Sequence, residues 1–199
     1  MISKQDNKNG FTLIELLVAM AISGIVMAGI YSVYYSQQKS YMAQEQLAVM
    51  QQNIRAAMFF MGREIRMAGC DPSGQAIDFA DWDISSSSSF KFTLDIRGNT
   101  AGSLPDGDTK DSNEEITYSL YTATDGVQKL GRKSSSTANN QPVAENITSL
   151  NFTYLNANNN VTTNASAVRS VEITLVAATE DNVRSRSFTT NIKCRNMGL

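Results

Sequence analysis

The sequence contains no histidine among its 199 residues. That absence removes the commonest general base, every Ser-His-Asp or Cys-His pair, and every zinc site that needs imidazole. Two cysteines are too few for a four-thiolate metal centre. Charge of one sign is also lacking: 17 basic and 19 acidic residues give a net −2, so nucleic-acid binding is not indicated. Proline occurs three times, and never between residues 11 and 68. No Gly-rich phosphate loop and no nucleophile with an evident base stands out. An enzyme is therefore not expected, nor a cofactor.

What the sequence does have is unevenly spread. Residues 11–35 read FTLIELLVAMAISGIVMAGIYSVYY, and 19 of these 25 are apolar. No charge occurs from Leu16 to Gln38, a run longer than the ~20 residues a helix needs to cross a bilayer. A cleaved secretory signal is the competing reading. The apolar run is too long for it, and Tyr31, Tyr34 and Tyr35 follow where a small-residue cleavage site would be required. Tyrosines at the end of an apolar run suit a membrane interface. Lys4 and Lys8 precede the run and Lys39 follows it, which favours a cytoplasmic N-terminus and an external C-terminal domain.

Helical periodicity continues past the apolar run. Leu47, Met50, Ile54, Met58, Met61, Ile65 and Ala68 recur at spacings of three and four and form one apolar stripe. Gly69 and Pro72 give the stop signal. The expectation is one helix over about 12–67, roughly 80 Å long at ~1.5 Å per residue. Its first half is apolar all round and its second half on one side. Gly24 and Gly29 inside the first half allow close helix approach or local unwinding, or are simply tolerated membrane glycines.

Glu15 is the only charge between Gly10 and Gln38. A carboxylate in a membrane helix is a functional candidate by default, but near a helix N-terminus it also gains from the dipole. Its neighbours decide. The contiguous Gly10-Phe11-Thr12-Leu13-Ile14-Glu15, after a short leader with Lys4 and Lys8, resembles the type IV prepilin processing motif. That resemblance implies a prepilin peptidase that cuts between Gly10 and Phe11 on the cytoplasmic side and N-methylates Phe11. It implies that Glu15 neutralises the α-amine of a neighbouring subunit in the fibre, which would offset the cost of burying both charges. Many major pilins kink this helix with a proline, and none is present here.

After Pro72 the composition turns polar, with a serine run over 85–89 and a short turn expected around Phe79 and Trp82, the tryptophan as a packing residue. Alternation then marks six strands. Phe90, Phe92, Leu94 and Ile96 carry the first; Ile116, Tyr118 and Leu120 the second; residues 127–133, entered through an Asp125-Gly126 turn, the third. Leu150, Phe152 and Tyr154 carry the fourth, Val171, Ile173 and Leu175 the fifth, and Phe188, Thr190, Ile192 and Cys194 the sixth. Polar spacers cover 98–113, 134–141, 156–164 and 179–182. Short strands without intervening helices predict an antiparallel sheet packed on the helix stripe, an α+β fold.

This layout resembles the pilin fold over its whole length. Met61 to Gly69, Val168 to Val176 and Phe188 to Asn196 are similar to PilW-type minor pilins, and the Tyr118–Leu120 and Asn146–Tyr154 strands to the related J-type pseudopilins of type II secretion. The organisation expected is a leader over 1–10, a transmembrane and assembly half of the helix over 11–38, an amphipathic half over 39–69, and a periplasmic or extracellular sheet domain over 70–199. The resemblance implies a structural subunit that helps initiate or cap a type IV pilus. Its partners would be prepilin peptidase, other minor and major pilins, and an inner-membrane assembly platform. A secretion pseudopilus tip, or a membrane-anchored adhesin or DNA-uptake receptor, are the alternatives.

Cys70 and Cys194 form an even pair, which in an external domain favours a disulfide from the helix end to the last strand. Asp106, Asp108, Asp111, Glu114 and Glu115 cluster within ten residues. Calcium favours such loops, but they match no EF-hand and read as a solvated loop rather than a metal site. Asn146, Asn151, Asn160 and Asn164 sit in glycosylation-type triplets common in Asn- and Thr-rich chains and receive no role.

Overall fold

A single helix, α1, runs from Leu13 to Met67 in the computed structural model, which describes residues 10–75, 78, 81–100, 102–181 and 183–197. Lys4, Lys8 and Phe79 lie outside the described residues. The chain forms two units, Met1–Glu45 and Gln46–Leu199. In the first, α1 is long and apolar enough to cross a membrane, and none of its most apolar stretch is buried by the chain itself.

In the second unit, the predicted stripe is the packed face of α1. Met50, Ile54, Met61, Ile65 and Ala68 are buried, Leu47 and Met58 half-buried against them, and Ala57 completes the row. Among the described residues seven strands follow: β1 (Ser89–Thr93), β2 (Glu115–Thr122), β3 (Gln128–Lys133), β4 (Gln141–Glu145), β5 (Ile147–Leu155), β6 (Ser170–Ala178) and β7 (Ser185–Lys193). All pairings are antiparallel, in the orders β1-β2-β3-β4 and β5-β6-β7. The six expected strands are present, and the α+β pilin-like architecture holds.

Three details correct the sequence reading. The strands form two sheets instead of one, because Asn146 takes a left-handed backbone (φ 58°) between β4 and β5 and redirects the chain from the first sheet into the second. β4 was hidden in the spacer over 134–141 and the residues after it. Its Pro142 cannot donate to a ladder, which is tolerated because β4 is an edge strand. β1 stops at Thr93, short of Leu94 and Ile96: the Leu94 N–H still bonds its register partner Glu114 O (2.9 Å), but the Asp95 N–H turns away to Cys70 O (2.7 Å). Beside β4, Gly131 is required by crowding. A Cβ there would lie 2.7 Å from the Tyr121 ring and 2.9 Å from Asn140 Oδ1.

The core joins α1 to both sheets. Trp82, Phe90, Phe92, Phe152 and Tyr154 form an aromatic cluster with ring centroids 5.0–6.2 Å apart, mixing residues of β1 and β5. Trp82 is buried in it, donating its indole N–H to Thr93 Oγ1 at 3.0 Å. A polar clamp also fixes α1 to the first sheet. Arg132 on β3 donates Nε–H to Glu64 on α1 at 2.9 Å and Nη2–H to Asn113 Oδ1 at 3.1 Å, while the Tyr118 hydroxyl donates to Glu64 Oε2 at 2.5 Å. Burial and the Glu64 carboxylate push the Tyr118 phenol well above its usual range.

The C-terminal segment returns to the end of α1. Arg195 N–H donates to Arg66 O at 3.1 Å and Asn196 Nδ2–H to Met67 O at 3.2 Å. Cys70 is half-buried and Cys194 buried, and both are free thiols. Hydrogen bonds, with no disulfide, make the tie between the last strand and the helix end in this structure. Burial pushes the Cys194 thiol up to about 12, so little of it is the reactive thiolate at neutral pH.

Two predictions follow from this packing. Arg132→Ala leaves Glu64 without its cation in a largely buried site and should lower stability by about 3 kcal/mol, measured by chemical denaturation of the full chain in detergent. In the reduced protein, Cys194 should react slowly with iodoacetamide from pH 7 to 9, with rapid labelling only on unfolding. Mass spectrometry of the labelled chain reads both.

Candidate functional site: the N-terminal segment

The start of α1 is set by two side chains. Glu15 Oε2 accepts from the Thr12 N–H at 2.8 Å and from the Thr12 hydroxyl at 2.8 Å, and Thr12 Oγ1 accepts from the Glu15 N–H at 3.3 Å. This reciprocal arrangement is a capping box, which satisfies amides that the first turn of a helix leaves without partners. Thr12 O accepts from Leu16 N–H at 3.2 Å, the first bond of the helical ladder. The Thr-x-x-Glu spacing was present in the sequence, yet the reading of Glu15 took in only the dipole and the processing motif.

The box fixes where the helix begins, and so what lies outside it. Gly10, Phe11 and Thr12 precede the helix, and Phe11 is 93% exposed. Among the described residues nothing lies within 4 Å of where a Gly10 Cβ would stand. A peptide bond inside a helix must unwind before a protease can bind it; the Gly10–Phe11 bond needs no unwinding. Both capping residues follow that bond, so its cleavage would leave the box intact. The structure thus brings Thr12 and Glu15 together and places Gly10 and Phe11 ahead of the helix.

Beyond Glu15, α1 carries Leu16, Leu17, Ile22, Ile25, Val26, Ile30 and Val33 exposed on every side, with Tyr31, Tyr34 and Tyr35 after them. Among the described residues of this unit, none covers these side chains. Apolar surface of this extent is stable only in lipid or against other apolar helices. Further along, Phe59 is 74% exposed and Phe60 43%, with the Arg132 guanidinium 6.0 Å from the Phe60 ring centroid. Sequence periodicity placed neither phenylalanine in the stripe and assigned them no role.

No curated protein matches the chain. Residues 5–31 match the prokaryotic N-terminal methylation motif, the segment that holds Gly10, Phe11, Thr12 and Glu15. Residues 43–194, well over half of the chain, match prepilin peptidase-dependent protein B. Pilin-like families of this kind are structural subunits and not enzymes. With its methylation motif, its uncovered apolar helix and its sheet domain, the chain belongs to the pilin-like family of prepilin peptidase-dependent protein B.

Proposed function

We propose that this protein is a minor pilin, PilW-like in kind, that helps initiate or cap a type IV pilus. Prepilin peptidase cuts it between Gly10 and Phe11 and methylates the new α-amine. The N-terminus lies in the cytoplasm and the sheet domain outside the inner membrane, until residues 11–38 leave the bilayer for the fibre. There they exchange lipid for neighbouring helices, at little change in apolar burial. Glu15 pairs with the α-amine of an adjacent subunit. Oxidation of Cys70 and Cys194 to a disulfide in the external compartment belongs to the same reading.

The observation that carries this reading is the methylation motif over 5–31, with its glycine outside the helix and its glutamate closing the first turn. A membrane anchor alone has no use for a cleavable glycine two residues before the cap. Mass spectrometry of the mature N-terminus tests it: a chain beginning with N-methyl-Phe11 is expected, and an intact leader or a cut after residue 35 contradicts it.

Glu15 has two separable tasks, and two variants divide them. Glu15→Ala removes cap and charge; Glu15→Gln keeps an acceptor for Thr12 and removes only the charge. Both should be cleaved normally and incorporated poorly, as measured by the amount of this subunit in sheared fibres. Normal incorporation of the glutamine variant would reduce Glu15 to a helix cap.

A further inference from the structure

Arg169, Ser170 and Lys193 meet at one end of the second sheet, beside a cavity of about 270 Å³ that they line with Asn156, Asn159 and Cys194. Strand pairing places them. Val171, Ile173 and Leu175 of β6 are buried in the core, so by alternation Ser170 belongs to the opposite face. Lys193 of β7 stands directly across from Ser170 on that face. The backbone of Arg169 is pinned on both sides: its N–H donates to Leu155 O at 2.8 Å, and its carbonyl accepts from the Cys194 N–H at 3.0 Å. The turn after β5 closes with Asn156 N–H to Asn160 O at 2.9 Å and brings Asn156 and Asn159 to the cavity.

This cavity has donors that lack acceptors. Ser170 is 4% exposed, yet among the described residues its hydroxyl has no hydrogen-bond partner. A buried hydroxyl in that state is costly until something completes it. Nη1 of Arg169 donates to Ser166 O at 2.8 Å and to Val168 O at 2.9 Å, which holds the guanidinium in place and leaves Nε and Nη2 to spare. Lys193 is exposed, and among the described residues neither cation makes an ion pair. Glu172, two residues along β6 on the same face, stands across from Asn191 and not from Lys193. The surroundings add positive charge. Residues 182–199 hold Arg184, Arg186, Lys193 and Arg195 and no acid, in a chain of net charge −2. The Arg195 N–H bond to Arg66 O brings one more arginine to this end of the domain.

We propose that this cavity binds a phosphate monoester group, with Arg169, Ser170 and Lys193 as its donors. A monoester carries close to two negative charges at neutral pH and three acceptor oxygens. The two cations match that charge, and the three donor groups match those oxygens. A carboxylate or a sulfate ester carries a single charge and would leave one cation uncompensated. A soluble phosphorylated molecule and a lipid headgroup both present such a group, and the cavity reads the group itself. The proposal needs nothing from the reading of the N-terminal segment, and its failure would leave that reading untouched.

The test uses the full chain in detergent micelles under reducing conditions, so that both thiols stay free as they are in this structure. Calorimetry at neutral pH should show glucose 6-phosphate binding at one site per chain, and glucose 6-sulfate binding about tenfold more weakly for want of the second charge. Lys193→Gln should weaken glucose 6-phosphate about tenfold, and the Ser170→Ala/Lys193→Gln double variant more than that. Both variants should unfold thermally close to the unaltered chain, since Lys193 is exposed and the Ser170 hydroxyl has no bond to lose. Dioctanoyl phosphatidic acid added to the micelles reads the source. Binding of that lipid alone, lost in the double variant, supports a lipid headgroup as the bearer; binding of glucose 6-phosphate supports a soluble one. Failure of the unaltered chain to bind either probe would overturn the proposal. So would undiminished affinity in the double variant, or equal affinity for the sulfate ester.

Discussion

The structure depends on one constraint: the first half of α1 exposes apolar side chains all round, and its own unit does nothing to cover them. A helix of that kind is not a stable object in water, so its partner must be lipid or another helix. The remaining features of the N-terminus are consistent with that need. A capping box satisfies the first turn locally, so the segment does not rely on a neighbour to begin its helix. The same two residues leave the Gly10–Phe11 bond outside the helix.

The second unit solves a different problem. Here the amphipathic half of α1 buries one stripe against two sheets, and the seam is sealed by an aromatic cluster that draws on both. Glu64, Arg132 and Tyr118 add a polar clamp at the same surface. A partly buried ion pair of this kind contributes little net stability compared with apolar packing, but it is costly to break from one side. It therefore fixes the register of helix on sheet more than it holds the two together.

Much of this was legible in the sequence, and the reason differs from element to element. The stripe from Met50 to Ala68 and the strands around Phe90, Ile116, Leu150, Val171 and Ile192 were visible because one-sided burial imposes a period on the order of apolar residues. β4 was not, since an edge strand with Pro142 shows little alternation and its pairing is set by the neighbouring β3. The split into two sheets hangs on the left-handed backbone at Asn146, which the residue type permits but does not announce. At the N-terminus Gly10, Phe11 and Glu15 could be singled out by order along the chain; the capping role of Glu15 needed only the Thr12 spacing and was passed over.

The claim that the helix half is covered by something other than its own chain can be measured directly. A photo-crosslinking amino acid at Ile25, exposed on the apolar helix, reports whatever lies beside it. The account predicts lipid adducts in the membrane fraction and adducts to another pilin-family helix in the fibre fraction. Crosslinks confined to the protein's own sheet domain, in both fractions, would contradict it.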